Sequence, residues 1–408
     1  MKHPGKLKIR DYTYDLPVDK IALHPLPQRD ASRLLIYDHG EIQEDTYGNI
    51  DTYLPVNSLL VFNNTKVINA RLRFTKTTGK IIEIFCLEPA IVENDYTGTM
   101  SAKGCVRWKC LVGGAAKWKN KPLEKIISNP DKKRVLKATL IEKRNEVFIV
   151  EFNWTPAELS FTDILKEAGE TPLPPYIKRI TASEDADRYQ TIYAEQEGSV
   201  AAPTAGFHFT ESIFNSLTKK NIGKAFITLH VGAGTFKPVK TAILQQHNMH
   251  EEWLDVNMET IKSIAANTGD IIAVGTTSLR TLETLYWLGV KIILRPGITD
   301  LCLGQWEVYE EEFSNAHISA TLALDYLIKW MEKKNIKRIF TRTQLLIAPG
   351  YEFKIVNALI TNFHQPQSTL LLLVAAAIGD DWKKLYDHAL QNNFRFLSYG
   401  DGMLIKIK

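Results

Sequence analysis

Residues 270–294 read DIIAVGTTSLRTLETLYWLGVKIIL. DIIAVG (270–275) is a short apolar run that ends in glycine, and apolar positions then recur at helical spacing over 278–288. VKIIL (290–294) is a second β-branched run, so the stretch predicts strand, helix, strand. Gly275-Thr276-Thr277-Ser278 falls where the first strand gives way to the helix, the place where an α/β protein presents free N–H groups to a ligand. The alternation extends through the chain after Pro156. Helices are predicted near 161–168, from a Thr210 cap to about Lys220, and over 258–267, 320–334, 368–378 and 381–391. Strands are predicted at 33–38, 59–63, 225–231, near 337–347 and 355–361, and in the final MLIKIK. The class is α/β with a mixed sheet.

The stretch from Lys80 to Trp154 has a different texture. KIIEIFCLE, RWKCLV, RVLKATLIEK and EVFIVEFNW are β-like, with a hairpin expected across Arg144-Asn145. No amphipathic helix breaks them. This predicts an inserted all-β, barrel-like domain over 76–154, carried by an α/β domain made of 1–75 and 155–408. The insert is also where positive charge gathers. Residues 101–146 hold thirteen Lys or Arg against four Asp or Glu, a local excess of nine in a chain of net charge +4. Lys132, Lys133 and Arg134 form its densest run. Such a surface suits phosphates, and a solvated lysine-rich face would read the same way.

Bulk composition narrows the class further. The chain has 408 residues, 45% hydrophobic and 24% charged, enough for two or three domains of a globular protein. It has no apolar run of roughly 18 residues, so no membrane span is expected. Its polar start does not resemble a signal peptide. Four cysteines without CxxC spacing argue against a disulfide framework, and a cytoplasmic location is expected. The methyltransferase glycine loop, the P-loop and the GxGxxG fingerprint are all absent from the sequence.

Six further strings combine Gly, Thr, Ser, His or acids with apolar runs: GSVAAPTAGFHFT (198–210), LHVGAGTF (229–236), HNMHEEW (247–253), VGTTSLR (274–280), TNFHQPQSTLLLLV (361–374) and SYGDGMLI (398–405). With YDLP (14–17), HPLPQRDASRLL (24–35), FNNTKVINARL (62–72), PLPPYI (172–177) and DRYQTIYA (187–194), they resemble the S-adenosylmethionine:tRNA ribosyltransferase-isomerases of queuosine biosynthesis. The resemblance covers nearly the whole chain. It implies transfer and isomerisation of the ribosyl part of S-adenosylmethionine onto 7-aminomethyl-7-deazaguanine at the tRNA wobble position. Adenine and methionine would leave, and epoxyqueuosine-tRNA would form. S-adenosylmethionine would be a co-substrate, with no tightly bound cofactor, no metal and no obligate protein partner. A non-catalytic tRNA-binding paralogue, or a transferase with another acceptor, are the competing readings.

That chemistry needs a base and groups that hold the ribose, and histidines with tunable pKa values are natural candidates. His208 is expected at a helix entrance, where the dipole would keep it neutral and basic, although a backbone-bonded histidine fits the same place. His250 and Glu252 are the other acid–base candidates; His247 and His250 lack the HExxH arrangement of a zinc site. For binding, the matching strings offer Thr204, His230, Gly232, Gly234, Thr276, Thr277, Ser278, Arg280, Asn362, His364, Tyr399 and Asp401, with Arg33 and Arg71 nearer the N-terminus. Thr277 or Ser278 could equally be an ordinary helix cap, and the two arginines could form structural ion pairs. One departure stands out: the family commonly has NDTRVIPAR where this chain has NNTKVINAR (63–71), so Asn64 lacks a carboxylate. The stretch from 297 to 345 also looks longer than usual, with one added helix.

Overall fold

The computed structural model describes residues 1–90, 96–118, 121–129, 132–144, 147–232, 239 and 241–407. Side chains are also outside the description at 96, 97, 128, 129, 132 and 133. Along the chain come β1 (Arg33–Asp38), β2 (Glu41–Thr46), β3 (Leu59–Asn63) and β4 (Thr65–Val67). The antiparallel region contains β5 (Arg71–Thr75), β6 (Ile81–Pro89), α1 (Tyr96–Met100), β7 (Cys105–Gly113), β8 (Leu123–Asn129), β9 (Lys132–Arg144) and β10 (Val147–Thr155). Then follow α2 (Phe161–Ala168), β11 (Gly169–Glu170), α3 (Asp185–Arg188), β12 (Gln196–Ser199), α4 (Glu211–Lys219), β13 (Gly223–His230) and β14 (Glu252–Asn257). The rest is α5 (Met258–Ala266), β15 (Ile271–Val274), α6 (Thr276–Leu294), α7 (Glu311–Ser314), α8 (Ala320–Lys333), β16 (Arg338–Thr343), β17 (Ala358–Asn362), α9 (Thr369–Ile378), α10 (Asp381–Gln391) and β18 (Gly402–Lys406).

Nine strands form a mixed sheet in the order β16-β14-β13-β3-β15-β17-β18-β1-β2. Its centre, β13-β3-β15-β17, is parallel. Antiparallel pairs close both sides. Every residue of β3, β15 and β17 is buried, which explains why these strands read as continuous apolar runs rather than as alternation. The second sheet is antiparallel, ordered β11-β5-β6-β7-β10-β9-β8, and packs its own core around Trp108, Phe152 and Phe161. Lys125 of β8 donates from Nζ to the carbonyl of Ala168, 2.7 Å away beside β11, so the sheet curls into a half-barrel. Its members β5 and β11 lie outside the expected span 76–154. The β9–β10 pairing places Arg144 opposite Val147, as a hairpin requires; residues 145 and 146 lie outside the described residues.

Three local expectations change. VKIIL is the last part of α6, which runs unbroken for 19 residues. Gly289 reads as punctuation, but a Cβ there would meet the Ala323 carbonyl oxygen at 2.0 Å. Glycine therefore lets α8 approach α6, and the added helix packs against α6 rather than ending it. α6 is enclosed from Thr276 to Lys291, and buried Glu283 accepts backbone N–H groups from Lys354, Ile355 and Val356 at 2.9, 2.9 and 3.1 Å. EWLDVN, of which only Glu252 and Trp253 belong to the histidine-rich string, is strand β14. EIQEDT is edge strand β2, too polar to announce itself. Among the described residues no helix is long and apolar enough to cross a membrane.

Candidate functional site

The parallel strands deliver their C-terminal ends to one edge of the large sheet, where open α/β sheets bind ligands. There Val231 after β13, Gly275–Thr277 after β15 and Thr361–Gln365 at the end of β17 line an open pocket. Ala201–Ala205, Leu397, Ser398 and Tyr176 complete most of its wall. Five of the six strings thus converge.

The start of α6, like those of α3, α7 and α10, has no side-chain cap. α2, α4, α5, α8 and α9 each begin on a side chain that accepts from the first turn: Ser160, Thr210, Asn257, Ser319 and Ser368. α6 begins on Gly275, at φ +92°, with no side-chain cap. Neither capping reading holds, because Ser278 donates from Oγ to the Val274 carbonyl at 2.8 Å and the buried Thr277 Oγ1 has no hydrogen-bond partner. The pocket therefore receives uncapped N–H groups and an unsatisfied hydroxyl, together an anion-binding arrangement. Among the described residues the lining contains no Asp, Glu, Lys or Arg.

Asn362 ties this pocket to its neighbour. Its Oδ1 accepts from Thr204 Oγ1 at 2.8 Å, and its Nδ2 donates to the Asp401 carbonyl at 3.3 Å. A carbonyl can only accept, so the amide orientation is fixed, and Nδ2 also donates to His208 Nε2 at 3.2 Å. His208 is then the neutral Nδ1–H tautomer. Its ring stacks on Tyr47 with centroids 4.0 Å apart. His208 lies in a short 3-10 turn, Thr204–His208, rather than at the entrance of α4. Burial, followed by repulsion from Arg395, lowers its pKa to about 3. Burial alone lowers His364 to about 3; its Nε2 lies 3.0 Å from Thr361 Oγ1. Burial likewise lowers His230 to about 4, and its Nδ1 lies 3.2 Å from Thr65 Oγ1. These imidazoles are uncharged at neutral pH and are weak bases.

Several charged candidates are engaged elsewhere. Glu252, on β14, forms a buried ion pair with Arg280 of α6, and Arg280 also donates from Nε to the Leu345 carbonyl at 3.1 Å. Neither reaches the pocket lining, because each neutralises the other in the core. His250 is exposed in the loop before β14. The acid–base roles expected for His250 and Glu252 therefore have no geometry behind them. Arg33 pairs with Glu44 and lies 3.8 Å from the centroid of the Phe394 ring; Arg71 donates to the Leu173 carbonyl at 3.0 Å and lies 3.8 Å from Glu83. Both arginines thus sit in ion pairs. Asp401 accepts from the backbone N–H groups of Arg33 and Arg395 at 3.1 and 2.8 Å, fixing the turn into β18. Tyr399 donates to Asp185 at 2.9 Å. Gly232 follows β13, whereas Gly234 lies outside the described residues. In the basic sheet Arg134 pairs with Glu167, and the side chains of Lys132 and Lys133 lie outside the described residues. No cluster of three metal-ligating side chains occurs among the described residues.

Asn64 is buried, accepting from Thr228 Oγ1 at 2.7 Å and donating to Glu195 at 3.3 Å. An aspartate there would face a like charge, so this departure is matched by its surroundings. Sequence reasoning missed Tyr176, Thr361 and Ser398 as lining residues, although the quoted strings contain all three. It also missed Arg29 and Arg188, which line a smaller adjoining pocket.

A family model described as queuosine biosynthesis protein matches residues 9–405. A protein of Azoarcus sp. (strain BH72) named S-adenosylmethionine:tRNA ribosyltransferase-isomerase is 35% identical over 403 residues, covering 98% of this chain and 97% of its own. One of the same name from Vesicomyosocius okutanii subsp. Calyptogena okutanii (strain HA) is 35% identical over 404 residues, covering 98% of each. A crystal structure of S-adenosylmethionine tRNA ribosyltransferase from Thermotoga maritima is 29% identical and covers 97% of this chain and 99% of that one, with a TM-score of 0.44. The chain belongs to the queuosine biosynthesis protein family.

Proposed function

We propose that this chain is an S-adenosylmethionine:tRNA ribosyltransferase-isomerase. It transfers and isomerises the ribosyl group of S-adenosylmethionine onto 7-aminomethyl-7-deazaguanine at the wobble position of tRNA. Epoxyqueuosine-tRNA forms, and adenine and methionine are released. The observation that carries this reading is the convergence of the family's strings on one uncharged pocket at the strand ends.

Each part of the co-substrate has a matching wall. The uncapped α6 N-terminus and the Thr277 hydroxyl suit the methionyl carboxylate, since both present positive ends of dipoles without a cation. Thr204, Asn362 and Ser398 offer hydrogen bonds to ribose hydroxyls. Tyr176, Phe363, Leu370 and Leu397 supply apolar surface for adenine. His208 is a positioning residue: its Nε2 fixes the Asn362 amide, and Asn362 in turn fixes Thr204. His364 similarly orients the Thr361 hydroxyl. In this reading the binding step needs no metal, and the charged sulfonium sits away from the α6 terminus. The acceptor RNA is held in part by the basic half-barrel. The enzyme works where tRNA is modified, in the cytoplasm.

The competing paralogue reading requires the added 297–345 segment to obstruct the site. That segment instead packs its helix α8 on α6 at Gly289, and none of it lines the pocket. Incubating the protein with S-adenosylmethionine and tRNA carrying the deazaguanine precursor tests the proposal. Adenine release that depends on the precursor supports it; release with unmodified tRNA alone assigns another acceptor, and no release with bound tRNA assigns the paralogue.

A further inference from the structure

Beside the main pocket lies a smaller, open one, lined by Arg29, Arg188, His208, Ser398 and Tyr399 among others. Ser398 borders both pockets, and Asn362 reaches from the lining of the first to His208 in the second. The two guanidiniums in the smaller pocket are held in place by backbone carbonyls. Arg29 donates from Nη1 to Phe207 at 3.2 Å and from Nη2 to Asp187 at 3.1 Å. Arg188 donates to the carbonyls of Leu26 and Pro27, at 2.5 and 3.2 Å. Among the described residues neither has a carboxylate partner, and the buried Nε of Arg188 has no acceptor at all. The missing carboxylate separates them from Arg33, Arg71, Arg134, Arg179 and Arg280, each of which faces an acid.

Like charges brought together without a counterion are costly, and the cost is visible here. Burial first, and then repulsion from Arg188, lowers the pKa of Arg29. Backbone carbonyls orient a guanidinium without neutralising it, so the net positive charge remains available to a ligand. Planar guanidinium forks match the paired oxygens of a phosphate better than any other side chain does.

We propose that Arg29 and Arg188 form a phosphate site that grips the RNA backbone next to the nucleotide whose aminomethyl group is presented to the main pocket. The inference rests on the tRNA reading and adds to it the place where the strand is held. A base and its own phosphate are joined through one ribose, and the two pockets are likewise joined through one wall, at Ser398 and Asn362. The general charge of the half-barrel gives affinity without position; this pair gives register, because its donors are fixed.

The test uses the full-length protein and an anticodon stem-loop whose phosphates flanking the wobble nucleotide are replaced, one at a time, by uncharged methylphosphonate. In the wild type, one flanking replacement weakens binding roughly 10-fold, as loss of a charge-assisted contact should. In Arg29→Gln/Arg188→Gln the same replacement has no further effect, and the salt slope for the natural stem-loop falls by about one. Single Arg188→Gln gives the same coupling if the double variant is poorly folded. A wild type indifferent to both flanking phosphates overturns the proposal, as does equal loss in wild type and variant. Inorganic phosphate separates the sources: tight binding by wild type, lost in the variant without any RNA coupling, makes this a free-phosphate site and overturns the RNA assignment. Adenine release, measured in parallel, reports on the proposed activity independently, so the register site can fail while the enzyme reading stands.

Discussion

The first turns of α6 carry two contrasting regions. On the pocket side, Gly275–Thr277 present uncapped N–H groups and an unpartnered hydroxyl. One turn further on, Arg280 is locked to Glu252 in the core. The charged residues that look most chemical in the sequence are consumed in holding β14 and α6 together. The Thr277 hydroxyl, modest by comparison, keeps its hydrogen-bonding capacity unspent beside the pocket. The difference teaches that an unsatisfied group counts where it lines a pocket, since Arg280 Nη2 is also without a partner but lies in the core.

The largest effect expected from this contrast is on stability. Glu252→Ala strands a buried guanidinium and should cost about 3–5 kcal/mol, read as a lower midpoint in urea unfolding. S-adenosylmethionine affinity of the remaining folded protein should hold. Unchanged stability with lost binding would move the pair into the site.

Thr277→Val makes the reverse prediction. Removing one hydrogen bond to a carboxylate should weaken S-adenosylmethionine binding about 10-fold by calorimetry, with little change in melting temperature. Thr277→Ser should retain affinity. Equal affinities for all three proteins would leave the α6 terminus without its ligand.

Acid titration examines the neutral histidines. His208 and His364 have folded pKa values of about 3 against an ordinary 6.5. The unfolded chain therefore binds their protons first. Their stabilising contribution is complete above pH 6.5 and is lost progressively as pH falls toward 3. His208→Gln should flatten the pH dependence of the unfolding midpoint in that window. A slope identical to wild type would mean that His208 is charged in the fold.

The smallest expected effect concerns the basic half-barrel. Lys132→Ala/Lys133→Ala should reduce the salt slope of tRNA binding by about one to two. Arg134→Ala should instead act on stability, because its partner is Glu167. A matching loss of slope in Arg134→Ala would erase that distinction.

Much of the fold was legible because its signals are local. Continuous apolar runs gave the buried parallel strands, and Thr210 and Ser368 gave true helix starts. What escaped depended on distant contacts. Nothing near VKIIL announces that Gly289 meets Ala323, so the run reads as a strand although it completes a helix. Likewise, nothing near Glu283 announces that three backbone N–H groups of residues 354–356 come to it. The candidate site followed the same rule. Thr276, Thr277, Asn362 and His364 lie at element ends that sequence could mark, and they do meet. Glu252, Arg33 and Arg71 were drawn toward the site by residue type, but their partners, unseen in the sequence, hold them elsewhere. Arg29 and Arg188 were overlooked for the opposite reason, since only the fold shows that no acid answers them.

Asn362 provides the most direct test, because its amide at the pocket wall bonds Thr204, His208 and the Asp401 carbonyl together. The measurement is the single-turnover rate of adenine release from S-adenosylmethionine, with precursor-bearing tRNA saturating, for wild type and Asn362→Ala. If this pocket positions the ribosyl group for transfer, the variant should fold, bind tRNA normally and release adenine roughly 100-fold more slowly. A folded Asn362→Ala protein that releases adenine at the wild-type rate would contradict the account.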